Sequence, residues 1–220
     1  IDIWVGLKLI FMKHLIVYTS FLLLTISLFS CNTENTEKNA TSLLSAKDPV
    51  TANISSNSNA AAPWAIDAAA SKVTFTIKNL GINVEGSFGG LTGNVFFDAK
   101  NIENSSVEGS VEVTTINTGI KKRDKDLMGE KFFDAEKNKR IIFKSNSIMR
   151  VGNSYKAVGS LTIKGKSKQL EIPFTFEQNG NNGLFKSNFT VNRRDFNVGG
   201  NEVVMADELT VSLSIAVKKK

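Results

Sequence analysis

The segment from Tyr155 to Phe176, YKAVGSLTIKGKSKQLEIPFTF, carries the pattern that is most informative about the fold. In its first part every second residue is apolar or small, and after Lys164-Gly165-Lys166 the same spacing returns. Alternation of this kind predicts two β-strands, each with one dry and one solvated face, joined by a tight turn. The stretch therefore predicts an antiparallel hairpin.

The same period of two extends over most of residues 64–217. The residues on the predicted dry faces include Val73, Phe75, Ile77, Val95, Phe97, Val107, Val111, Phe185, Phe189, Val191, Leu209, Val211 and Leu213. Short turn segments rich in Gly and Asn separate the runs, so consecutive strands are expected to be antiparallel neighbours. Eight or so such strands can close into a barrel, which leaves no exposed sheet edge. The prediction is an all-β, antiparallel eight-stranded barrel, with a β-sandwich as the competing architecture.

One segment, KKRDKDLMGEKFFDAEK from Lys121 to Lys137, interrupts this alternation. It is highly charged, and its apolar residues fall at near-helical spacing. We interpret it as a short helical cap whose apolar face covers one end of the barrel.

The N-terminal residues predict an export signal and a membrane anchor. Lys13 and His14 precede an apolar run that ends in Leu28-Phe29-Ser30-Cys31, which resembles the lipobox of bacterial lipoproteins. We expect residues 1–30 to be an upstream extension and signal peptide with its natural start at Met12. Residues 31–62 would then be a lipidated Cys31 and a flexible tether, and residues 63–220 the barrel domain. This predicts a lipid-anchored protein of the cell envelope, on the periplasmic side or the outer membrane; a plain secretory signal is the alternative.

Two rare residue types narrow the function. His14 is the only histidine and Cys31 the only cysteine, so a chain cleaved before Cys31 has no histidine. Catalysis by Ser-His-Asp or Cys-His groups and zinc sites of His and Cys are then excluded. The net charge of +6 includes the terminal Lys218, Lys219 and Lys220, and no nucleic-acid-binding motif accompanies it. We therefore expect neither an enzyme nor a nucleic-acid partner, and no metal.

Several segments together resemble the YceI-like family. They are Trp64-Ala65-Ile66-Asp67, Ser71 to Phe75, Val84 to Phe88, Arg123-Asp124 with Phe132-Phe133-Asp134, Ile142 to Ser145, Gly159 to Gly165, and Arg194-Asp195-Phe196. The resemblance implies a lipocalin-like barrel whose long apolar cavity holds a polyisoprenoid chain, and a carrier rather than an enzyme. The composition is compatible, because 15 Phe stand against 2 Trp and 2 Tyr, and Phe suits an apolar interior.

The candidate site residues follow from this reading. We expect ligand contacts from Phe75, Phe88, Phe97, Leu127, Phe132, Phe133, Phe143 and Phe174. A head group would meet Lys121, Lys122, Arg123 and Lys125, unless these are simply solvated. We interpret Arg194 and Asp195 as a structural pair that fixes the penultimate turn, with a ligand clamp as the alternative.

The expected partner is an isoprenoid lipid such as a polyprenyl compound or a quinone, and no cofactor is expected apart from that lipid. The sequence leaves the oligomeric state open, a dimer included. One alternative is a stress-protective or protein-interaction module that uses the barrel as a scaffold. A carboxylate-dependent hydrolase, with acids such as Asp124 and Asp126, is a weaker alternative.

Overall fold

The computed structural model describes residues 61–220. The predicted signal peptide, the lipidated Cys31 and nearly all of the predicted tether lie outside these residues. The strands are β1 (Pro63–Asn79), β2 (Ile82–Phe88), β3 (Thr92–Phe96), β4 (Ser106–Glu112), β5 (Arg140–Val151), β6 (Ser154–Ile163), β7 (Lys166–Asn179), β8 (Asn182–Asn192) and β9 (Met205–Lys219). One α-helix, α1 (Lys121–Met128), lies between β4 and β5.

The strands form one closed antiparallel barrel. Each strand from β3 to β8 pairs with the next along the chain, and β9 pairs back onto β1. The other edge of β1 is shared, because its Val73–Asn79 part pairs with β2 and Pro63 and Trp64 pair with β3. The nine strands therefore occupy eight positions around the barrel. The predicted eight-stranded barrel with a short helix is confirmed, and the β-sandwich is excluded.

The hairpin predicted from Tyr155 to Phe176 is β6 followed by β7. Ile163 pairs with Lys166, and Lys164 and Gly165 between them have φ angles of 50° and 70°. Positive φ at both central residues of a two-residue loop matches the right-handed twist of the flanking strands. The alternation of β6 is seen in its burial, since Tyr155, Ala157, Gly159 and Leu161 are all buried.

Gly159 shows why a small residue stands in the middle of a strand. A Cβ atom at this position would lie 2.3 Å from the carbonyl oxygen of Lys144 and 2.7 Å from the Cα of Ser145. The neighbouring strand β5 is bulged here, between Ser145 and Ser147. Only glycine allows the two backbones to approach so closely.

Helix α1 is bonded to the segment that precedes it. The carboxylate Oδ1 of Asp124 accepts hydrogen bonds from the backbone N–H of Thr118 at 2.8 Å and from its hydroxyl at 2.5 Å. This fixes the start of the helix relative to β4 and the loop that follows it. Within residues 61–220 no helix is both long and apolar enough to cross a bilayer.

Candidate functional site

The barrel interior holds a cavity of about 320 Å³, lined by residues of all the strands and of α1. This volume falls in the range of about 300 to 1,000 Å³ that is common for small-molecule sites. Strand β1 contributes Val73, Phe75 and Ile77, and β9 contributes every second residue from Leu209 to Ile215. These residues are only partly buried, because they face empty space rather than a packed core.

One end of the cavity is closed by aromatic side chains. Phe97 is 2% exposed and stands edge-on to Tyr155, Phe176 and Phe185, with ring centroids 5.1, 4.7 and 5.2 Å away. The indole N–H of Trp64 donates a hydrogen bond to the carbonyl of Phe97 at 3.0 Å. Edge-to-face rings at these separations pack well. We call this group, Trp64, Phe97, Tyr155, Phe174, Phe176 and Phe185, the aromatic floor.

The opposite end forms the mouth, beneath α1 and the connection that follows it. Leu127, Phe132 and Phe133 all line the cavity there. The ring of Phe133 stands edge-on to Phe88 on β2, with centroids 5.6 Å apart. The charged central segment therefore covers part of the opening with its apolar side chains, as expected of a cap.

Seven of the eight residues expected to contact a ligand line the cavity: Phe75, Phe88, Leu127, Phe132, Phe133, Phe143 and Phe174. Phe97 does not, because it is packed within the aromatic floor. It follows the end of β3, where the chain turns over the closed end of the barrel. Alternation identifies the face of a strand but not the distance along it, so the sequence could not separate Phe97 from the cavity wall.

Only one of the four residues expected to contact a head group lies at the cavity. Arg123 lines the cavity, whereas Lys121, Lys122 and Lys125 are exposed and do not. The guanidinium of Arg123 donates through Nε to the hydroxyl of Thr118 and through Nη2 to the Thr118 carbonyl, each at 2.8 Å. Among residues 61–220 no carboxylate lies within ion-pair distance of this guanidinium.

Asn79 is a polar residue of the mouth that the sequence placed only in a turn. Its side chain lines the cavity, and its buried Oδ1 has no hydrogen-bond partner within the described part of the chain. A buried acceptor without a donor destabilises the folded state, so such atoms are rare in native proteins.

Arg193 is a second residue that the sequence analysis missed. It is 2% exposed, and its guanidinium donates hydrogen bonds to the carbonyls of Val198, Gly200, Glu202, Met205 and Ala206 at 2.6 to 3.2 Å. Burial lowers the pKa of Arg193, and the nearby Asp207 opposes this shift. The side chain thus holds the loop 197–204 in place beside the mouth.

The expected pair of Arg194 and Asp195 is wrong. Arg194 forms its ion pair with Asp207, and Asp195 lies 4.0 Å from Lys168. Both residues lie in the tight turn Arg193–Phe196, and their side chains reach different strands.

The chemistry of the lining is otherwise sparse. Glu108, itself exposed and 3.9 Å from Lys144, is the one carboxylate among the described lining residues. In the same part of the chain no cluster of three or more His, Cys, Asp or Glu side chains is placed to hold a metal ion.

A closed antiparallel barrel with a deep apolar cavity, a floor and a mouth defines a lipocalin-like fold. Residues 64–217 match the family model of the YceI-like domain. The chain therefore belongs to the YceI-like family.

The solved structures and relatives agree with this. The chain is similar to BcnA of Burkholderia cenocepacia, with 30% identity and a TM-score of 0.66 over 69% of this chain and 98% of BcnA. It shares its fold with a polyisoprenoid binding domain from Saccharophagus degradans, at 11% identity and a TM-score of 0.57 over 71% of this chain and 98% of that domain. A UPF0312 protein of Yersinia pestis is 27% identical over 150 residues, which are 65% of this chain and 78% of that protein.

Proposed function

We propose that the domain binds one long apolar lipid, of the polyisoprenoid or isoprenoid-quinone type, inside the barrel. The observation that carries the proposal is the cavity itself: apolar along its walls, closed by the aromatic floor and open at the mouth. Apolar chains are bound by contact and water exclusion, which such a lining supplies.

The dimensions of the cavity favour a chain over a compact molecule. Met205 and Ile215 both line it and stand ten residues apart on β9. That is roughly 33 Å along a strand, and roughly 25 Å along the axis of a barrel whose strands tilt by about 40°. A volume of about 320 Å³ drawn out over that depth makes a narrow cavity. The solved polyisoprenoid binding domain, which has the same fold, agrees with this proposal.

The mouth supplies the polar contacts for a head group. Arg123 offers a positive charge without an ion pair among the described residues, and Asn79 lines the cavity beside it with its Oδ1 covered by protein. We infer a head group that accepts hydrogen bonds from Arg123, as a hydroxyl or a phosphate does. Both side chains line the same cavity as the apolar residues, so one ligand would fill both parts.

Binding without catalysis is part of the proposal. The single carboxylate of the described lining, Glu108, leaves no second acid for the paired acid-base chemistry of a hydrolase. The lining residues instead supply shape, exclusion of water and a polar mouth.

A blocking variant with a matched control tests lipid binding. Val211 points into the cavity, and the neighbouring Thr210 on the same strand is exposed outside it. Val211→Trp places an indole in the lipid path, whereas Thr210→Trp adds the same indole outside. Lipid extracted from the purified chains is measured by mass spectrometry. We expect Val211→Trp to lower the bound lipid about tenfold and Thr210→Trp to leave it unchanged. Equal lipid in both variants, or none in the parent chain, would refute the proposal.

We also propose that the domain is held in the cell envelope by lipidation of Cys31. The support is the lipobox-like sequence, and the carrier role gives a reason for a position next to a lipid reservoir. Cys31→Ser should release the protein from the membrane fraction and abolish its labelling by a fatty-acid probe. Unchanged membrane retention and labelling would contradict the anchor without touching the cavity proposal.

A further inference from the structure

Exposed aliphatic side chains project from the barrel at the end that holds the mouth. Leu80 and Ile82, in the β1–β2 hairpin, are 72% and 71% exposed. Val203 and Val204, in the loop before β9, are 88% and 46% exposed. The backbone N–H of Leu80 donates a hydrogen bond to the carbonyl of Val204 at 2.7 Å, so the two loops are joined. We call these four residues the apolar tips.

The apolar tips are held in this exposed position by the rest of the fold. Arg193 fixes the loop of Val203 and Val204 through five backbone carbonyls, and Lys131 forms an ion pair with Glu202 beside it. A loop that is fastened so firmly does not fold its valines inward. In water such an arrangement leaves apolar area unburied, which is unfavourable.

The charges around the mouth show which surface would cover the tips. Four exposed lysines of the β1–β2 hairpin and α1 make no ion pair within the described residues: Lys78, Lys121, Lys122 and Lys125. Lys139 and Lys166 are likewise exposed and unpaired at this end, and the exposed acids there without a pair are Glu85, Asp126, Glu136 and Glu208, so the excess is positive. Protruding aliphatic side chains surrounded by lysines suit an anionic lipid surface, which is both fluid and negatively charged.

The position of the tips relative to the chain entry adds an independent reason. The described chain begins at the closed end, where the N–H of Phe97 donates to the carbonyl of Ala62 at 3.2 Å. The chain therefore enters the barrel at the end opposite the mouth. The mouth needs contacts of its own in order to meet a bilayer.

We propose that the apolar tips and the four lysines form a membrane-docking surface that seats the mouth on an anionic bilayer. Leu80, Ile82, Val203 and Val204 enter the boundary between head groups and acyl chains, and the lysines contact the anionic head groups. This goes beyond the proposed lipid binding, because the docking surface acts whether or not the cavity is filled.

The test uses the full chain with Cys31→Ser, so that no acyl anchor contributes. A polarity-sensitive fluorophore is attached at Val203→Cys or, as the control, at Asn153→Cys in the turn between β5 and β6 at the closed end. The vesicles contain equal amounts of phosphatidylglycerol and phosphatidylethanolamine, with brominated acyl chains as quenchers. We expect the label at position 203 to shift to the blue and to be quenched, while the label at position 153 stays aqueous.

A pair of double variants tests which side chains carry the binding. Leu80→Ser with Val203→Ser should weaken vesicle binding about tenfold or more, because two aliphatic groups no longer leave water. Met149→Ser with Val151→Ser is the control, because these residues are 42% and 50% exposed on β5 toward the closed end. Because all four positions are exposed, loss of folding is not expected, and circular dichroism checks this.

Vesicles of phosphatidylcholine alone should bind more weakly, as expected of a surface with excess positive charge. Equal binding of both double variants, or an aqueous label at position 203, would overturn the docking surface and point to a protein partner for the tips. Lipid content is measured on the same samples by mass spectrometry. A failure of docking and a failure of lipid binding are therefore seen separately.

Discussion

Truncation of two phenylalanines tests the division of the interior into a packed floor and an open cavity. Phe97 is 2% exposed, and its ring has four aromatic neighbours within 5.9 Å. Removing it leaves a void in a packed region, for which the loss in the free energy of unfolding is about 3 to 5 kcal/mol. Phe75 contacts the ring of Phe88 at 5.6 Å but faces the cavity and is partly exposed. Phe75→Ala creates no new void in a packed region. It therefore loses only part of the free energy gained by removing the ring from water, about 1 to 2 kcal/mol.

The measurement is urea denaturation of the ligand-free variants, followed by circular dichroism. A shift of the midpoint at constant slope reports stability. For a domain of this size the expected loss for Phe97→Ala lowers the melting temperature by roughly 6 to 20 °C. The loss of bound lipid should follow the opposite order. For each kcal/mol of lost stability, Phe75→Ala should change the amount of retained lipid more than Phe97→Ala does. Equal destabilisation by the two substitutions would refute the separation of floor and cavity.

Three further predictions concern the frame of the site. Gly159→Ala should cost about 2 kcal/mol or more in urea unfolding, because its Cβ would meet backbone at 2.3 Å, whereas Gly109→Ala, with open space around it, should be nearly neutral. Arg193→Met should cost about 3 kcal/mol and speed amide exchange in the loop that it holds, and Arg193→Lys should not restore protection because an ammonium lacks the planar fork. The bond from Lys131 lowers the pKa of Glu202, so this pair stabilises the fold fully above the ordinary glutamate pKa and loses its effect as the pH falls through the lowered value. The protection factors of the loop amides, which correct for the intrinsic pH dependence of exchange, should therefore fall in acid, and Glu202→Gln should remove this pH step.

Much of the fold could be predicted because the alternation is local. Period two in Tyr155 to Ile163 and in Leu209 to Val217 identifies the inward faces without any knowledge of neighbours. The turn Lys164-Gly165 and the near-helical spacing after Lys121 located a hairpin and a helix. The split of one barrel position between β2 and β3 was not visible, because Gly89-Gly90 reads as an ordinary turn.

The candidate site was predictable only by face. Seven of the eight expected residues line the cavity because an inward position in a hollow barrel faces either the cavity or a packed end. Phe97 lies in the aromatic floor because of its position along the barrel axis. The period-two alternation does not encode that position. Asn79 and Arg193 were missed because their environments depend on loops distant in sequence. Arg193 has its hydrogen-bond partners there, and the Oδ1 of Asn79 is buried there without one.

By itself the sequence determined the all-β class, the inward faces, the capping segment and the absence of histidine after Cys31. Only the folded chain shows where the interior is packed and where it is hollow, which of the expected head-group residues reaches the cavity, and which loops display Leu80 and Val203. The physical reason is that alternation and turn chemistry act between near neighbours in sequence. Cavities, buried guanidinium networks and joined loops arise only when strand register brings distant residues together.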